Sequence, residues 1–141
     1  MKRNTFIFTL FTILLLVGCG PSISDENKNL RAEVIGVHDE VMPLMGKLKN
    51  LEREALNRVE ELESNPEIDT LQVEELKALA YDLSQAYEGM FVWMRQYETE
   101  DGDRTPEEVK AYLEDQMIKV QKVNEDIKAA LDKADKLLGT E

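Results

Sequence analysis

Apolar side chains recur at steps of four and three along most of this chain. The first run is Leu30, Val34, Val37, Val41, Leu44, Leu48, Leu51, Ala55 and Leu62, with Arg58 filling one slot. A second run is Leu76, Ala80, Leu83, Tyr87, Met90, Met94 and Tyr97, with Trp93 at its border. The third is Val109, Leu113, Gln116, Val120, Val123, Ile127, Ala130, Ala134 and Leu137. Steps of this kind put one apolar stripe on each of three helices, as in bundles and coiled coils. Nothing alternates with period two, so no sheet is expected.

The ends of the runs are legible. Ser64-Asn65-Pro66 closes the first, and Asp69 with Gln72 offers a cap for the second. Glu100-Asp101-Gly102-Asp103 is a turn. Thr105-Pro106-Glu107-Glu108 then supplies a cap, a proline at the first helical position and a glutamate to reach back. The spacing therefore predicts an all-α fold, an antiparallel three-helix bundle with helices at about 29–63, 70–98 and 106–138. Each would be about 45–50 Å long for roughly 30 residues. Pro43 lies in the middle of the first helix, with Gly36 and Gly46 around it. Proline removes a donor and frees the carbonyl of Asp39, so a kink is expected there.

The pattern changes at the N-terminus. Lys2 and Arg3 precede Phe6–Val17, a largely apolar run too short for a bilayer core that needs about 20 residues. Leu16-Val17-Gly18-Cys19 follows. This order resembles a bacterial lipobox, in which the cysteine thiol is acylated and the chain is cut before it. The resemblance implies a signal peptide over 1–18, a lipidated Cys19 carrying acyl chains such as palmitate, and a polar tether over 19–28. It implies residence in the cell envelope, anchored to a membrane, with the outer membrane favoured. Two acyl chains give stable anchoring where one is marginal. Ser24-Asp25-Glu26 faintly resembles the acidic stretch of surface-exported lipoproteins and equally reads as plain tether.

Charge narrows the partners. The chain has 17 basic and 29 acidic residues, a net charge of −12. Removing residues 1–18 takes Lys2 and Arg3 with it and leaves −14 on 123 residues, one domain's worth. Such a chain repels nucleic acid and anionic lipid headgroups. Cys19 is the only cysteine, so acylation leaves no disulfide and no thiolate nucleophile. One histidine, no Gly-rich phosphate loop and no G-x-S-x-G give no enzyme reading. A di-iron site with two Glu-x-x-His motifs is excluded by the same single histidine.

One constellation carries chemistry. His38, Met42 and Met45 share a face of the first helix, and Met90, Trp93 and Met94 cluster late in the second. Folding the chain near residue 67 sets 38 level with about 96, 42 with about 92 and 45 with about 89. Folding again near 102 brings Met117 to the same section. Thioether and imidazole are soft donors suited to Cu(I), and a tryptophan face can stack on a cation. The candidate metal residues are His38, Met42, Met45, Met90, Trp93 and Met94. A non-covalent haem on His38 and a methionine is a further option. The same methionines suit plain core packing around a kinked helix.

His38-Asp39-Glu40-Val41-Met42-Pro43-Leu44-Met45, Trp93-Met94-Arg95 and Tyr112-Leu113-Glu114-Asp115-Gln116 with Lys119-Val120 resemble segments of small helical Bacteroidota lipoproteins. These are often labelled "viral A-type inclusion protein", a label that reflects coiled-coil similarity. The likeness covers most of the mature chain. It implies the same fold and address and points to His38, Met42, Met45, Trp93 and Met94. The sequence departs from it at Gly89-Met90-Phe91-Val92, where a more acidic, Met-rich run is expected. The function expected is that of a membrane-tethered helical binding or structural module for an envelope protein, with self-association as a further partner class. The alternative is a Cu(I)-binding protein.

Overall fold

A computed structural model describes residues 22–139. The expected signal peptide over 1–18 and the expected lipidation at Cys19 lie outside the described residues. Helix α1 spans Ile23–Val41 and α2 spans Met45–Glu63, with a single 3₁₀ turn, Met42–Leu44, between them. Helix α3 is Thr70–Gln96 and α4 is Pro106–Leu138. The pair α1–α2 forms one long interrupted rod, so the fold is the expected all-α bundle of three rods. Helix α1 packs on α4, α2 on α3, and α3 on α4. Among the described residues no helix is long and apolar enough to cross a membrane.

The interruption falls where Pro43 sits. Without an N–H, proline cannot bond back to Asp39, and the chain tightens to i→i+3 geometry for one turn before the helix resumes. The other boundaries come from caps. The Asp69 carboxylate accepts the N–H groups of Leu71 and Gln72. Thr105 and Glu108 exchange side-chain and backbone bonds in a full capping box, with Pro106 at the first helical position. Helix α4 stops at Gly139, whose φ of 69° is left-handed and needs no Cβ. The first helix starts earlier than expected. Ser22 caps it by accepting the Asp25 N–H, so Ile23–Lys28, expected as tether, form its opening turns.

Cross-links fix the register. Lys110 meets Glu26 at 3.0 Å, Lys128 meets Glu40 at 2.7 Å and Lys47 meets Asp135 at 3.4 Å. Their nearly constant spacing shows the α1–α2 rod and α4 running parallel. Lys77–Glu63 and Lys133–Asp82 tie α3 antiparallel to both. Exposed pairs of this kind contribute about 0–1 kcal/mol each, so burial holds the fold and charge mainly sets alignment. The core is continuous along the rods, with Val34, Val41, Leu48, Leu79, Leu83, Met90, Val120 and Ile127 fully buried.

Two departures from the sequence stripes matter. Arg58 occupies a seam slot but donates to the carbonyl of Leu138 at 2.8 Å and to Glu54, while Val59 takes the buried place. A cation there sits at the negative end of α4. On α3 the seam turns inward at Trp93, and Met94, expected in it, is 38% exposed. Helix α3 packs on two neighbours, so its buried face is wider than one heptad stripe and drifts with the 3.6-residue period.

Candidate functional site

The kink and the end of α3 meet as the hairpin requires. His38, in the last turn of α1, lies against Trp93 with ring centroids 5.5 Å apart. The expected partner level was residue 96, so the register differs by three residues. Trp93 is 5% exposed and stacks in turn on Tyr97 at 4.9 Å, and Tyr97 neighbours Tyr112 of α4 at 6.2 Å. Four rings thus run from the kink toward the turn between α3 and α4. The indole Nε1–H of Trp93 is buried without a partner.

His38 is held from its other side. Its Nδ1 is 2.8 Å from the Asp39 carboxylate. A carboxylate only accepts, so a neutral imidazole donates from Nδ1 and keeps the Nε2 lone pair for another group. Ligating histidines are commonly oriented by a carboxylate in this way. Met45 and Met90 belong to the buried core, with Met90 fully buried, and Met42 and Met117 pack against it. The structure therefore sets His38 against Trp93, which belongs to the same long core as Met45 and Met90, with Met42 packed on that core. Met94 is not in that core. Among the described residues no three His, Cys, Asp or Glu side chains gather to hold a metal ion, so a metal here would rest on thioethers and one imidazole.

Sequence reading missed Asn124. Its buried amide donates to the Val37 carbonyl at 3.0 Å and to Glu40 at 2.9 Å, pinning α4 to the turn of α1 just before Pro43. An asparagine one position past a heptad slot was the available signal. Glu40 is held below the ordinary carboxylate value of 4.5 by its hydrogen bond from Lys128 and then by that from Asn124. Its charged form is favoured by folding, so its contribution is present above pH 4.5 and lost as pH falls through the lowered value. Asp25 and Glu108 are lowered too, by their Ser22 and Thr105 bonds. Acid also relieves the net charge of −12, so the specific effect is best read as a difference. Asn124→Ala is expected to cost about 1–2 kcal/mol at neutral pH and less once pH falls through the lowered Glu40 value. It should also raise the Glu40 pKa. Urea unfolding across pH, with carbon NMR of the Glu40 carboxyl, checks both.

A groove also runs between α3 and α4, with a volume of about 460 Å³. Ala86 and Gly89 line one side, Ala129 and Ala130 the other, and Tyr81 stands 63% exposed at the edge. Helical spacing continues the two walls to Val92 and Ile118, both exposed. No family model, no curated protein and no solved structure matches this chain.

Proposed function

We propose that the chain is a lipid-anchored lipoprotein of the bacterial cell envelope, held at a membrane by Cys19, favouring the outer membrane. There it presents a rigid three-helix bundle as a binding and structural module. The observation that carries this reading is the α3–α4 groove. Small side chains let another helix approach closely, and exposed Tyr81, Val92 and Ile118 give apolar contact along its length. Helix-in-groove binding uses this kind of surface. Asp82 and Asp126 stand at the rim, each paired with a lysine, Lys133 and Lys122, so the groove's attraction for a partner helix is apolar rather than ionic. The test places a photo-crosslinking amino acid at Tyr81 in cells and a second at exposed Glu60 on α2 as control. A discrete adduct from position 81 and none from 60 is the expected result. Equal adducts, or none at 81, overturn it.

A second reading, a soft-metal protein for Cu(I), draws support from the oriented imidazole of His38 against Trp93, on a core that includes Met45 and Met90. Its readout is a Cu(I) competition titration of the purified protein, following Trp93 fluorescence. Stoichiometric quenching that disappears in a His38→Ala, Met42→Leu variant supports copper handling. No binding returns the methionines to packing alone.

A further inference from the structure

Helices α1 and α2 are two halves of one rod and have the same length, 19 residues each. They are held down very differently. Helix α2 puts Met45, Leu48, Leu51, Ala55 and Val59 into the buried core. Helix α1 puts in Val34 and Val41. Most of the stability of a helix in a protein comes from packing its apolar face, so α1 is the lightly fastened half. What fastens it is largely polar. Asn27 donates to the Pro106 carbonyl at 2.8 Å, and Asn124 of α4 donates to the Val37 carbonyl at 3.0 Å and to Glu40. Glu26 pairs with Lys110 and Glu40 with Lys128. Arg31 reaches the Tyr97 hydroxyl, the Glu98 carbonyl and Asp101. Water can take the place of each of these partners, so their net hold is small.

The same interface holds the poorly satisfied groups of the bundle. Among the described residues, the buried side-chain atoms without a hydrogen-bond partner are Asn27 Oδ1, Gln116 Oε1 and Trp93 Nε1. Asn27 belongs to α1. Trp93 lies against His38 of α1, with ring centroids 5.5 Å apart. The pairs Lys110–Glu26 and Lys128–Glu40 set α4 between 84 and 88 residues ahead of α1, which puts Gln116 level with residues 28–32. Lifting α1 uncovers this interface and lets water reach the three atoms, which offsets part of the burial that is lost.

A hinge is already built where α1 would part from α2. The 3₁₀ turn Met42–Leu44 separates them, and Pro43 has no N–H to bond back to Asp39. Bending there breaks fewer helical bonds than bending inside either helix. We propose that α1 is a strap that lifts from α4 as one unit, turning about Met42–Leu44, while α2, α3 and α4 stay folded. The closed bundle is the dominant form, and opening is a sub-global step that lies below complete unfolding in free energy. It bares the seam of α4 at Val109, Leu113 and Val120, all buried in the closed form. The α3–α4 groove survives the opening, because its walls belong to the part that stays folded. If Cys19 is acylated, a pull on the membrane side acts on α1 before any other helix. That consequence rests on the anchor proposed above; the strap does not.

Native-state hydrogen exchange of the whole protein, purified in detergent and read by NMR, tests this residue by residue. Amides over 34–41 should exchange together, about 100-fold faster than those over 48–59. Two variants then separate opening of the strap from complete unfolding. Ala80 is buried on α3, and Ala80→Gly weakens that helix equally in the closed and the strap-open forms. It should speed exchange over 48–59 by about fivefold and leave 34–41 unchanged. Val34→Ala removes a contact present only in the closed form, so it should speed both regions by the same factor, about tenfold. Equal protection over 34–41 and 48–59 in the unmodified protein overturns the proposal. A gradient that decays from Ser22 and leaves Val41 as protected as α2 also overturns it, since that is fraying of the helix end. An equal response of both regions to Ala80→Gly does the same, because α1 would then open only when the whole bundle unfolds.

Discussion

Cells expressing Cys19→Ala are expected to yield a protein with no acyl chain and with residues 1–18 still attached. The unmodified protein should take up an alkynyl fatty acid and, after cleavage, begin at Cys19. Intact-mass analysis and in-gel detection of the label read both changes at once. The effect is expected to be all or none, because the proposed diacyl attachment needs a cysteine sulfur and Cys19 is the only cysteine in the chain. The energetic consequence is large. A single acyl chain binds a bilayer only marginally, with a partition constant on the order of 10⁴ M⁻¹, and a second chain makes the attachment stable. Unlabelled wild type that is cut elsewhere would mark an ordinary secretory signal and remove the anchor from the proposed function. The bundle itself would be unaffected, since its first described residue, Ser22, is already a helix cap.

Much of the fold was legible because heptad spacing, caps and breakers agreed with one another. Thr105-Pro106 with Glu108 named the start of α4, and Pro43 named the interruption of the first rod. Agreement among independent local signals is what gives a sequence one dominant structure. The errors share a physical origin. A heptad template assumes one partner per helix, whereas α3 faces two, so it buries Trp93 and leaves Met94 outside. Arg58 looked like a defect in a seam and proved to be an end cap for another helix, a relation that only tertiary packing creates. The opening turns Ile23–Lys28 read as tether because their composition is polar. Their stability comes from the Ser22 cap and from Asn27 reaching α4, 79 residues away. The candidate site was legible in part: the last turn of α1 meets the end of α3, and His38 lies on Trp93, three residues from the level that the hairpin arithmetic gives. What the pattern could not give was which side chain faces which. Asn27 and Arg31 were invisible for the same reason, and Asn124 showed only as a polar residue beside a seam slot. Each acts on a backbone carbonyl or carboxylate contributed by a distant segment, and hydrophobic periodicity carries no record of such bonds.

Trp93 separates the roles of the site most sharply. Truncation to alanine removes an indole that is 5% exposed and touches both His38 and Tyr97. Deleting a buried aromatic of this size costs about 3–5 kcal/mol. Against a total of about 5–15 kcal/mol for a domain, that is the largest loss expected of any single side chain here. Chemical denaturation of the Trp93→Ala variant, followed by far-ultraviolet circular dichroism, should show the midpoint falling by that free energy divided by the slope, with little change in the slope itself. The instructive comparison is Trp93→Phe. Phenylalanine keeps most of the apolar surface and the stacking but has no N–H. If the indole N–H is buried without a partner, as the geometry has it, the loss of volume is offset by removal of an unsatisfied donor, and the net cost should stay below about 1.5 kcal/mol. A cost near that of alanine would mean that the N–H is engaged by a group bound in the protein as isolated. Adding His38→Ala to each variant then locates that group. Coupling confined to the tryptophan background places it beside His38, as an acceptor such as a bound water, and additivity places it elsewhere in the core.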